Sequence, residues 1–135
     1  MSTESFRAAV FESIGNYMAA NHAGVDIAWE NGPELDEAQV SDTFAEVELR
    51  FYSAIHTEVG QGATTRHSGA ISIKVYARQA TGTAAAGALC DGLINLLRST
   101  RLDTGLTKAP QRIVPNTYKG WYCTGVLVPF TLDVK

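Results

Sequence analysis

Between Ser68 and Leu97 the period of the apolar positions changes from two to helical. Ile71, Ile73, Val75 and Ala77 alternate with Ser72, Lys74 and Tyr76, the repeat of a strand with one buried face. Beyond the linker Arg78 to Thr83, Ala85, Leu89, Leu93 and Leu96/Leu97 recur at helical spacing. The pattern predicts a strand that feeds a helix packed back on its sheet. Thr81 or Thr83 is the expected N-cap, and the helix is expected to end near Ser99-Thr100, where Arg98 and Arg101 suit the negative pole of its dipole.

The rest of the chain arranges around this unit. Phe6, Val10, Ile14 and Tyr17/Met18 fall on one face of a first helix, capped by Ser2 or Thr3 and ended near Asn21. A strand over Val25 to Glu30 is stopped by the turn formers Asn31-Gly32-Pro33, and the acidic stretch Glu34 to Asp42 has no periodicity and reads as a solvated loop. From Thr43 to Val59 the odd positions Ala45, Val47, Leu49, Phe51, Ile55 and Val59 are apolar, while Glu46, Glu48, Arg50, His56 and Glu58 are polar. That strand is predicted to pair as an antiparallel hairpin with the one entered through Arg66-His67-Ser68, across the flexible tip Gly60 to Thr65. Strands average about five or six residues. This one either projects beyond the core or is divided by a bulge or break near Ser53-Ala54.

Leu102 to Pro110 reads as a short connection with one irregular strand. Gln111 to Tyr118 and Trp121 to Val134 form a last hairpin turning at Lys119-Gly120, with Tyr122, Thr124, Val126, Val128, Phe130, Leu132 and Val134 on one face. Pro115 and Pro129 point to edge positions or bulges. The expected fold class is α+β: a mainly antiparallel sheet of four to five strands with two helices packed on it, in the order α-β-β-β-α-β-β.

Length and charge narrow the function without supplying one. The 135 residues fit a single domain over the whole chain, 1-135. No apolar run approaches the roughly eighteen residues of a membrane span. The N-terminal residues lack the basic flank and apolar segment of a signal peptide, so a cytoplasmic product is expected. At a net charge of −3, with its eleven Lys and Arg dispersed, the chain is a poor candidate for sequence-reading nucleic-acid binding. Cys90 and Cys123 read as unbridged packing residues.

No CxxC, HExxH, GxGxxG or Walker spacing is present. His56 and His67 flank the hairpin tip and are the one pair that a metal or proton site could use, against the plainer reading of a solvated pair. Cys90 and Asp91 are adjacent on a helix and do not face each other. The expectation is therefore a protein without a catalytic or metal site and without a cofactor.

Three features together resemble a known family. They are a first helix leading to a strand that ends in Trp29-Glu30-Asn31-Gly32-Pro33, a long amphipathic strand, and His67-Ser68-Gly69-Ala70-Ile71-Ser72-Ile73-Lys74-Val75 running through a small-residue linker into an apolar helix. This order, over most of the chain, is similar to that of small tail terminator proteins of tailed bacteriophages, of the lambda minor tail protein U type. The resemblance implies a non-enzymatic virion protein, made in the host cytoplasm, that forms a homo-oligomeric ring, a hexamer, on the head-proximal end of the tail tube. Its implied partners are further copies of itself, the tail tube protein and a head-tail connector or neck protein. DNA would pass through the lumen without sequence-specific binding, and no membrane is involved. The candidate subunit or tube interface comprises Glu46, Glu48, Arg50, Arg66 and His67 on the long hairpin, Ala84 at the small-residue start of the second helix, and Trp121 at the last strand. The alternatives are another phage neck or tail-completion protein, and a small cytoplasmic α+β enzyme or ligand-binding domain.

Overall fold

The computed structural model describes residues 2–35, 42–78, 83–103 and 105–135. Helix α1 spans Thr3–Asn21 and opens with a reciprocal cap: the Ser2 hydroxyl accepts the Ser5 amide at 3.0 Å and the Ser5 hydroxyl accepts the Ser2 amide at 3.0 Å. Phe6, Val10, Ile14 and Met18 form its buried stripe. Helix α2, Ala84–Leu97, buries Ala86, Leu89, Cys90, Leu93 and Leu97. Thr83 is its N-cap, without a side-chain bond. Two details of the expected helix shift. Ala85 faces outward and Ala86 takes the core position, and the helix stops at Leu97, before Ser99-Thr100.

That early stop has a local cause. Ser99 has φ of 43°, which turns the chain out of the helix. The buried hydroxyl of Thr107 then donates to the Leu97 carbonyl and accepts the Thr100 amide at 2.7 Å, satisfying groups that the helix end leaves open.

The strands are β1 (Asp26–Trp29), β2 (Thr43–His56), β3 (Thr65–Arg78), β4 (Arg101–Leu102), β5 (Gly105–Thr107), β6 (Gln111–Tyr118) and β7 (Trp121–Val134). Among the described residues they form one seven-stranded sheet in the order β1-β2-β3-β7-β5-β4, with β6 also paired to β7. The α+β class and the two packed helices stand. The sheet is larger than expected and mixed: Leu102 to Pro110 contributes two short strands instead of one, and β1 runs parallel to β2. The element order is accordingly α-β-β-β-α-β-β-β-β.

One sheet face is the core. Val47, Leu49, Ile71, Ile73, Val75, Val126, Val128, Phe130 and Leu132 meet the stripes of both helices, with the Phe6 and Phe130 rings 4.8 Å apart. Each such side chain contributes about 1.5–3 kcal/mol on burial. The expected alternation holds for Ile71, Ile73, Val75 and Ala77 of β3 and for Val126 to Leu132 of β7, but Ser72, expected on the polar face, is also buried.

β7 is the spine of the sheet. It pairs with β3 along its full length, while its other edge is shared by β6, up to Leu127, and β5, from Phe130. This arrangement corrects the expectation that Pro129 marks an edge or bulge. Pro129 lies in an interior strand, at the gap where β6 has ended and β5 has not begun. There its carbonyl accepts the Lys108 amide at 2.8 Å, so its missing N–H faces the same gap. Pro115 does sit at a register break of β6, between Ile113 and Asn116. The β6–β7 turn places Lys119 at φ 49° and Gly120 at φ 85°, the geometry of a two-residue hairpin turn that twists with its strands.

Candidate interaction surface

Side chains at alternate positions of β2, β3 and β7 point away from both helices; on this second face the small residues Ala70 and Ser72 are buried along the middle, and one end is covered. There Phe44, Tyr76 and Trp121 form a small separate cluster. The Phe44 and Tyr76 rings are stacked at 4.6 Å and Trp121 meets Phe44 edge-on at 4.9 Å, with Leu35 packed against them. The Arg78 guanidinium lies 4.4 Å from the Trp121 ring centroid. Trp121 is thus 3% exposed and its surface is occupied within the chain. The residues 36–41, most of the expected acidic loop, lie outside the described residues, as does the linker segment 79–82.

From this cluster the open face becomes progressively polar. Glu46 stands opposite Lys74 and accepts the Tyr76 hydroxyl at 3.5 Å. Glu48 pairs with Arg50, and that carboxylate raises the guanidinium further above its already high value. Arg66 grips Asp133 of the neighbouring strand with two bonds, Nε to Oδ1 at 2.8 Å and Nη2 to Oδ2 at 2.9 Å. The guanidinium holds the Asp133 carboxyl below the usual carboxylate range. Glu46, Glu48, Arg50 and Arg66 therefore share one surface. Ala84 does not join them: it is exposed at the start of α2, on the helix side.

The long hairpin is one continuous pair with a bulge, combining the two expectations. The register shifts between Phe51 and Ser53, close to the predicted Ser53-Ala54, and β2 ends at His56 instead of Val59. At the bulge root, Gly69 allows close approach: a Cβ there would lie 1.9 Å from the Arg50 carbonyl oxygen. Beyond it every residue from Ser53 to Gly62 is exposed. His56 and His67 are not opposed. His56 stands across from Thr65, whereas His67 stands across from Ala54 and meets the Phe51 ring edge-on at 5.9 Å. Among the described residues no three His, Cys, Asp or Glu side chains gather as metal ligands. Nor is any helix among them long and apolar enough to cross a membrane.

Apolar side chains stand in water at both ends of the sheet. Tyr52, Ile55 and Val59 are 62%, 61% and 104% exposed on the hairpin, and Val114 and Tyr118 are 83% and 56% exposed on β6. Val114 and Tyr118 help line a cleft of about 300 Å³ on the open face, with Lys74, Tyr76, Ile113 and Cys123. Burial pushes the thiols of Cys90 and Cys123 upward. The two sulfurs belong to opposite faces of the sheet and are unbridged.

A structural lock escaped the sequence reading. Arg7 of α1 pairs with Glu30, whose carboxylate also accepts the Leu49 amide at 3.3 Å, and Trp29 packs on Phe11 with ring centroids 5.1 Å apart. The Trp29-to-Pro33 turn thereby fastens the first helix to β1 and β2. Nothing in the spacing of Arg7 and Glu30 signals the pairing, which depends on the tertiary fold.

No family model and no curated protein matches the chain. Solved structures do. One protein, which carries only a sequence designation, is 13% identical and superposes over 100% of this chain and 98% of its own with a TM-score of 0.77. A chain from the virion of a native gene transfer agent (GTA) particle is 16% identical and matches over 97% of this chain and 96% of its own, with a TM-score of 0.61. At these identities the likeness shows the fold. It covers both chains nearly end to end, so the projecting hairpin and the β6–β7 hairpin belong to the shared architecture and are not additions to it.

Proposed function

We propose that this chain is a structural protein of a phage-like particle and, within such a particle, a tail terminator. It assembles as a ring on the head-proximal end of the tail tube, stops tube growth and presents the surface that the head joins. The observation that supports this reading most strongly is the nearly end-to-end likeness to a chain of a virion. The surface supports it independently. A bulged hairpin carrying Tyr52, Ile55 and Val59 into solvent is built to be covered by another protein, since apolar groups gathered on a projection otherwise invite unspecific association. The charged stripe from Glu46 to Arg66 offers a polar surface beside it.

In this reading the protein acts by shape and contact, not by catalysis. Ring symmetry would be six-fold, and the net negative charge keeps a DNA-conducting lumen from holding DNA. Deleting the gene tests the reading. Overlong or headless tails are expected, and purified protein added to tail tubes should appear by negative-stain microscopy as a ring at one end. Tails of normal length left unjoined to heads would overturn it in favour of a neck or tail-completion protein.

A further inference from the structure

The two exposed apolar patches lie at opposite ends of the sheet. Strand β7 starts beside Arg78, where the β6 turn is, and ends beside Thr65, where the long hairpin tip begins. At about 3.3 Å per residue, the stretch of β3 from Thr65 to Tyr76 alone is roughly 35 Å long. A tip at one end therefore cannot reach the cleft at the other end of its own chain. The tip is also well defined. The Ala63 amide bonds the Gly60 carbonyl at 3.3 Å, Gly60 and Gly62 take positive φ, and the Glu58 carboxylate accepts the Thr64 amide at 3.0 Å. These bonds hold Val59 outward, fully exposed.

Charge pairs the two ends as well as polarity does. Glu58 is the only charged side chain between Thr57 and Thr65. The cleft is bordered by Lys74 and by Lys119, whose ammonium lies 5.2 Å from the centre of the Tyr118 ring.

We propose that the cleft between β6 and the open sheet face receives the Val59 tip of a second copy of this chain, so that copies join head to tail. Such a contact is heterologous: every chain offers one tip and one cleft, and repetition closes a ring or continues as a filament. The inference deepens the terminator reading and rests on it for the closure into a ring, but the contact itself stands on the two patches. Val59 enters between Val114 and Tyr118, and Glu58 comes to rest near the two lysines.

Cys123 lines the cleft, which supplies a direct test. In a Val59→Cys variant, mild oxidation should join the introduced tip thiol of one chain to Cys123 of another and give a ladder of dimers and larger species on non-reducing gels. In the same variant carrying Cys123→Ser each chain keeps one accessible thiol, at the tip, because Cys90 is fully buried, so every species larger than a dimer should vanish. As a second measure, Val59→Asp changes only an exposed tip and should fold normally, yet associate at least tenfold more weakly in sedimentation velocity. The absence of any Cys123-dependent ladder in a concentrated sample, or unaltered association of Val59→Asp, overturns the proposal. Rings on tail tubes without that ladder would sink this contact and leave the terminator standing; the ladder together with normal-length tails in the deletion would do the reverse.

Discussion

Replacing Gly69 by Ala should cost about 2 kcal/mol, whereas replacing Gly87 by Ala should stabilise the protein, although both add one methyl group. At Gly69 the new Cβ would stand 1.9 Å from the Arg50 carbonyl oxygen and 2.9 Å from Phe130 Cζ, where real Cβ atoms keep 3.0 Å or more. The ring end can tilt, but the carbonyl belongs to the paired strand. β2 must therefore withdraw by about 1 Å beside the bulge, loosening ladder bonds that are worth about 1 kcal/mol each. Overpacking of this kind costs about 1–3 kcal/mol, and the lower chain entropy of unfolded Ala returns about 0.4–1 kcal/mol. The sum is a large share of a typical stability of about 5–15 kcal/mol and corresponds to a fall in Tm on the order of 10 °C. Gly87 lies in the first part of α2 with nothing within 4 Å of the added atom, so there Ala should gain about 0.5–1 kcal/mol from helix propensity. Urea titrations of both variants, compared by midpoint at constant m, measure the difference. A Gly69→Ala protein within about 0.5 kcal/mol of the parent would refute the close approach of β2 and β3.

Other expectations follow from the same geometry. Thr107→Val should lower stability by about 2 kcal/mol in thermal melts, because it strands the Leu97 carbonyl and the Thr100 amide at the end of α2, while Thr107→Ser should retain most of it. Replacing Arg66 and His67 together by Ala should lower the melting temperature only modestly, since Arg66 is exposed and His67 is half-buried at the margin of the core against Phe51, but reduce assembly into particles; full infectivity would count against the hairpin as an interface. Asp133 has a lowered pKa, so its small contribution is present above the unfolded carboxylate value and is lost as pH falls through the folded one; Asp133→Asn should remove that part of the acid limb. Both thiols are pushed up by burial, so the folded state holds their protons longer than the unfolded state and stability should fall as pH rises past about 9. Ellman titration should accordingly find Cys90 unreactive until the protein unfolds.

The core face was legible because its information is local. A repeat of two in Ile71 to Ala77 and Tyr122 to Val134, and a stripe from Phe6 to Met18, each identify a buried side without knowledge of any neighbour. β4 and β5 were not separable, because at two and three residues they are shorter than any periodicity. Pro129 misled because proline is excluded from a paired interior strand only where the partner needs its N–H, and the handover from β6 to β5 removes that need. The surface candidates were legible only in part. Glu46, Glu48 and Arg50 fall on one face by simple alternation. Trp121 looked available because its burial depends on Phe44 and Tyr76, which reach it only through the register of β2, β3 and β7.

The parallel pairing of β1 with β2 explains that cluster and the shape of the open face together. Two parallel neighbours cannot be joined by a tight turn, and β1 and β2 are accordingly separated by the long stretch 30–42. Of that connection, the described Leu35 packs on the Phe44–Trp121 pair. One end of the open face is thereby closed by the chain itself. At the other end β2 and β3 continue past the bulge with no helix over them, and the side chains they expose there include Tyr52 and Ile55. A partner can cover that end without displacing anything already packed, and at the closed end the cleft beside Tyr118, which Leu35 does not line, is left open. The connection that makes the sheet mixed therefore leaves two separate openings on that face, the hairpin end and the cleft beside β6.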